Sequence, residues 1–166
     1  MSQAKNKVEW CMGKAKKELE QSGRHRGLVV TRPSKERSLE HINKAEHYIE
    51  ATLLLEEKFS DIGASTIFYS MYHSMLAILA KFGYESRNQE CTFALIYSFI
   101  EDGKIDLSAA DVDRIASLGG DSVIEQRERY QYGVELSMKK EIYSESLEMA
   151  KKILGKAKEV VESEGG

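Results

Sequence analysis

The chain has 166 residues, 42% of them hydrophobic and 31% charged, with a net charge of −3. That length suits one domain with a sizeable core, and the composition excludes both a disordered chain and a membrane-embedded one. The charge is uneven: residues 1–37 hold ten Lys/Arg against four Asp/Glu, and residues 38–166 hold fourteen against twenty-three. A basic segment able to meet phosphates, or simply a solvated face, thus precedes an acidic body.

Pro33 is the only proline, as expected of a chain made mostly of helices. The first helix is predicted over residues 4–21, where Val8, Cys11, Met12, Ala15 and Leu19 recur at helical spacing. Its apolar stripe is thin, and Gly23 should end it. Residues 24–33 (RHRGLVVTRP) read as a connector pinned by Leu28, Val29 and Val30. A second helix starts after Pro33, capped by Ser34, and runs to about Phe59 with a stripe of Leu39, Ile42, Ala45, Ile49 and Leu53. The third helix, residues 61–82 with Asp61 as its cap, is apolar nearly all round and must be covered nearly all round, by its own chain or by a second copy. Gly83 should stop it. Ser86 and Gln89 have capping-box spacing for a fourth helix that stops at Asp102-Gly103. A fifth helix is expected from Ser108 to Tyr132, kinked at Gly119-Gly120. A last helix follows, capped by Ser137 and buried through Ile142, Ser146, Met149, Ala150, Ile153, Leu154, Ala157, Val160 and Val161. The tail from Glu162 should fray.

These elements predict an all-α, up-and-down four- or five-helix bundle over residues 34–161. Residues 1–33 form an additional N-terminal helix and basic connector of the same domain. No run of about 18 apolar residues is found, so no bilayer-spanning helix is expected. The start of the chain lacks the apolar stretch of a secretory signal, which points to the cytoplasm. Cys11 and Cys91 have no CxxC neighbour and are expected to be reduced, partly buried thiols.

No phosphate-cradling glycine loop and no nucleophile elbow occurs. The histidines are His25, His41, His47 and His73, and none is spaced i, i+4 from another histidine or a cysteine. No metal and no cofactor is therefore expected. Two polar groupings stand out. Asp61, Ser65, Tyr69, Tyr72 and His73 lie close to one face of the third helix. They either line a pocket for a phosphate, base or ribose hydroxyl, or hydrogen-bond to neighbouring helices. Arg127, Arg129, Tyr130 and Tyr132 crowd the end of the fifth helix. They either grip a phosphate and stack on a base, or form a surface arginine pair bonded to Glu125 and Glu128.

Three stretches carry a family resemblance over about residues 34–161. HINKAEH lies at 41–47, GASTIFYSMYH at 63–73, and Arg127-x-x-Tyr130-x-Tyr132 precedes an alanine-bearing final helix. The chain resembles a HEPN domain (higher eukaryotes and prokaryotes nucleotide-binding), whose central helix reads A-S-R-A-Y-Y-A-M-F-H. The resemblance implies a bundle that dimerises. It implies either a metal-independent ribonuclease built on an Arg, four to six spacers and a His, or the partner of a small nucleotidyltransferase in a toxin–antitoxin pair. Arg127 fits the motif arginine, Tyr132 stands where the histidine would be, and QEC at 89–91 replaces a second histidine-bearing spot. Tyrosine, titrating near ~10, is a poor base at neutrality. His73 is the remaining imidazole. The expectation is a non-catalytic or weakly active homodimer that binds nucleotide or RNA through Ser65, Tyr69, Tyr72, His73, Arg127, Arg129 and Tyr130. The alternatives are a ribonuclease using Arg127 and His73, with Tyr132 as a third catalytic candidate, and a purely structural interaction module.

Overall fold

The structure, a computed structural model, describes residues 1–117 and 121–163. Among them are seven helices and two short strands: α1 Gln3–Ser22, β1 Leu28–Val30, α2 Lys35–Leu55, α3 Ser60–Lys81, β2 Tyr84–Ser86, α4 Gln89–Glu101, α5 Ala109–Ala116, α6 Val123–Tyr132 and α7 Lys140–Glu162. The chain is an all-α helical bundle. Its centre is α3, packed by α2, α4, α6 and α7.

Helix α3 buries Ile67, Phe68, Met71, Met75, Ile78 and Leu79, each contributing roughly 1.5–3 kcal/mol by leaving water. Small hydroxylated residues let α2 approach closely. Ser38 Oγ donates to Ala77 O at 2.8 Å, Ser70 Oγ to Ala45 O at 3.0 Å, and the hydroxyls of Thr52 and Thr66 meet at 2.7 Å. Each buried hydroxyl thereby has a partner. Gly63 gives α7 the same access: a Cβ there would lie 2.2 Å from the Tyr143 hydroxyl, which donates to Thr52 O. Among the described residues α3 is the one helix long and apolar enough to cross a membrane, and most of that stretch is buried inside the bundle. Its own chain encloses it, so its apolarity does not require a second copy.

Helix α1 lies on α4. Only Cys11 and Ala15 of α1 are fully buried, in keeping with its thin stripe. Ser2, Lys5 and Lys7 tie its start to Glu101, Asp102 and Glu90. The two cysteines are not free thiols: Cys11 and Cys91 are joined in a disulfide, both fully buried. A separation of 80 residues concealed a proximity that only the α1–α4 packing creates.

Several local expectations are corrected. The connector forms β1, paired antiparallel with β2, Leu28 opposite Ser86 and Val30 opposite Tyr84. Gly83 ends α3 as expected, with φ 83°, and its carbonyl receives Thr31 N–H at 2.7 Å. Helix α2 ends at Leu55, and its stripe is narrower than expected, with Ile42 and Ala45 buried but Leu39 and Leu53 exposed. Asp61 is not the cap of α3. It sits in the first turn, where its charge meets the positive end of the helix dipole. Asn88 caps α4 by accepting from Cys91 N–H at 3.0 Å, while Ser86 Oγ is engaged with Thr92 and Asn88 O. The residue preceding α7 is Lys139 rather than Ser137, with no side-chain cap. Residues 108–132 are two helices, α5 capped by Ser108 and α6 by Ser122. Gly119-Gly120, the expected kink, lies outside the described residues, as does the tail beyond Ser163.

Candidate functional site

The antiparallel α2–α3 hairpin brings residues equally distant from its turn into register, and His41 faces His73 for that reason. Their Nδ1 atoms are 3.0 Å apart. One ring donates its Nδ1–H to the bare Nδ1 of the other, which then carries its proton on Nε2. Tyr48, two turns after His41, stacks on His73 at 5.7 Å between ring centres, and Tyr69 lies 5.6 Å from Tyr48. The Tyr69 hydroxyl accepts a hydrogen bond from Arg127 Nη1 at 3.3 Å, and the Arg127 guanidinium covers the Phe68 ring at 4.6 Å. The result is a ladder of two imidazoles, two phenols and a guanidinium running from α2 across α3 to α6. Lys44 stands 5.3 Å above the Tyr48 ring.

The electrostatics of the ladder follow from its partial burial. Burial holds His73 down to about 4, with His41 and the Lys44 ammonium pushing the same way. Burial also lowers His41, opposed by Glu40 and aided by Arg37. Both rings are therefore neutral at neutral pH, able to give and take hydrogen bonds but not to supply charge. Arg127 is only 8% exposed, and its Nε has no hydrogen-bond partner among the described residues. Its rings and the Tyr69 oxygen hold it.

The ladder joins Tyr69, His73 and Arg127 of the residues singled out in the sequence. It leaves the others outside. Tyr72, one residue before His73 and about 100° round the helix, turns to α4. There it meets the Thr92 hydroxyl at 3.2 Å, and burial raises its pKa. Asp61 and Ser65 are half-buried and join none of these contacts. Arg129 points away from Arg127, forming a two-toothed pair with Glu135 at 2.9 and 3.1 Å, while Tyr130 is buried. Glu128 reaches Arg127 only at 3.9 Å. The helix does end at Gly133, yet Tyr132 is 77% exposed, so it does not share a site with the buried Arg127.

Sequence reasoning missed His41, Lys44, Tyr48 and Phe68 as site residues. A signal for His41 existed. His41 and His73 lie at nearly equal distances from the 56–59 turn, which places them opposite one another in any tight antiparallel hairpin.

No protein-family model matches the chain, and no curated protein matches it. What the ladder can do follows from its chemistry. Half-exposed π-faces stack on bases, neutral imidazoles and phenols hydrogen-bond base edges or ribose hydroxyls, and Lys44 offers a charge to phosphate. Two neutral histidines are a poor acid–base couple, because one partner must be protonated to act as the acid.

Proposed function

We propose that the chain is a HEPN-type module that binds single-stranded RNA or a nucleotide without cutting it, with the His41–His73–Tyr48–Tyr69–Arg127 ladder as its contact surface. The ladder itself is the observation that carries this reading. It combines stackable rings with a cation at their edge, and two of its three helices, α3 and α6, are those where the resemblance places a ligand. The same resemblance supplies the wider proposal of a homodimer that pairs with a small nucleotidyltransferase in a toxin–antitoxin-like system. Exposed Leu53, Leu54, Phe59 and Ile62 at one end of the hairpin support the homodimer. Exposed Val134 and Leu136 belong to a segment held to the start of α3 by Met138 N–H on Ser60 Oγ.

The test is fluorescence anisotropy with a labelled single-stranded RNA oligomer in EDTA, followed by gel analysis of the RNA. Saturable binding that weakens with salt and leaves the RNA intact is expected. Replacing Tyr48 by Leu should weaken it by about tenfold, the value of one lost stack. No anisotropy change, together with no thermal stabilisation by RNA or nucleotide, would leave only a structural role.

A second reading, a metal-independent ribonuclease, is favoured by the placement of the His73 imidazole, 3.0 Å from His41, in the same ladder as Arg127. It would take His73 as base toward the ribose 2′-hydroxyl and Arg127 as the charge stabiliser. Cleavage in EDTA that disappears in both His73→Ala and Arg127→Ala would select it.

A further inference from the structure

Away from the ladder, a cavity of about 460 Å³ lies between α5, α6 and α7. That size falls in the ~300–1,000 Å³ range of small-molecule sites. Its apolar wall is Val123 of α6 with Ile142 and Met149 of α7. Gln126, one turn beyond Val123, lines it as well. That side chain is only 6% exposed, and its carboxamide oxygen has no hydrogen-bond partner among the described residues. A buried acceptor of this kind calls for a donor, because folding has taken its water away. Four charged side chains among the described residues line the same cavity, and two of them are engaged. Asp113 accepts the Tyr97 hydroxyl, and Asp121 lies within the field of the Arg129 guanidinium. Arg114 and Glu145, one of each sign, are exposed. They form no ion pair with each other or with any other described residue.

We propose that this cavity binds a free α-amino acid with an aliphatic side chain. The carboxylate meets the Arg114 guanidinium, a pairing that favours two parallel hydrogen bonds. The ammonium meets Glu145 and donates to the Gln126 oxygen, and the side chain packs on Val123, Ile142 and Met149. A zwitterion answers both lone charges and the buried acceptor at once, which neither a simple anion nor a simple cation does. This site does not depend on the RNA-binding reading.

Calorimetric titration of the intact protein tests the assignment with L-leucine, with leucinol, which lacks the carboxylate, and with N-acetyl-L-leucine, which lacks the ammonium. L-Leucine is expected to bind saturably and at least ~10-fold more tightly than either analogue. Arg114→Gln, at an exposed position, should bring L-leucine down to the affinity of leucinol. Glu145→Gln, also exposed, should bring it down to that of N-acetyl-L-leucine. Gln126→Leu should abolish L-leucine binding without lowering the Tm of the empty protein, since it removes an acceptor that has no partner. No binding of L-leucine, equal affinity for the three compounds, or L-leucine affinity untouched by Arg114→Gln or Glu145→Gln would each overturn it. So would full binding by a folded Gln126→Leu.

Discussion

His73 is neutral in the fold because protonating it would place a charge beside a second imidazole and an ammonium in partly buried surroundings. Its folded pKa, about 4, lies below its ordinary value of 6.5, so the unfolded chain takes up a proton first as pH falls. The stability that this group contributes is complete above pH ~6.5 and drains away as pH falls toward 4, with His41 adding in the same direction. A drop in Tm of roughly 5 °C between pH 7 and 4.5 is expected from this source. It is read as the difference between wild type and His73→Gln, since carboxylates titrate in both. Identical pH profiles for the two proteins would refute it. Arg127 gives a second prediction at this scale. Tyr69→Phe removes an oxygen that receives its Nη1 hydrogen bond and should cost about 1–3 kcal/mol, measured by denaturant titration. A change under half that lower bound would mean the rings alone hold the guanidinium.

Among the elements, the α3–α7 seam depends on one absent side chain. A Cβ on Gly63 would lie 2.5 Å from a Tyr143 ring carbon as well as 2.2 Å from its hydroxyl, and Tyr143 is itself fully buried. Gly63→Ala should therefore destabilise by about 1–3 kcal/mol through overpacking, despite alanine's better helix propensity. A stabilised variant in thermal melts would show the seam to be slack. Helix α1 shows the opposite economy, with little buried surface and one covalent tie. Loop closure across 80 residues of separation amounts to about 4 kcal/mol in the chain-entropy account. Reduction, or Cys11→Ser, should lower Tm and raise amide exchange across residues 3–22 before the α2–α3 hairpin is affected. Unchanged exchange in that segment would show that the ion pairs and Ala15 suffice.

At the scale of the whole molecule, coverage of α3 moves the question of assembly from the core to one end of the bundle. Leu54, Phe59, Val134 and Leu136 are half or more exposed, and a second copy would remove such surface from water. Light scattering at micromolar concentration is expected to return a dimer mass that reverts to a monomer in Leu54→Glu/Val134→Glu. A monomer mass for the wild type would remove the homodimer from the proposed function.

Periodicity alone determined that this chain is a helical bundle, that residues near 61–82 form its central rod, and that glycines 23 and 83 end helices, because those are properties of consecutive residues. Tyr69, His73 and Arg127 were legible as polar groups at helical spacing. Their union was not, since it depends on the depth and rotation at which α2 and α6 pack on α3. Tertiary structure alone decided that Tyr48 completes the ladder, that Tyr132 turns outward, and that Cys11 joins Cys91. Each of these is a contact between elements, and the free energy that selects it comes from surfaces the chain buries only when its helices have already met.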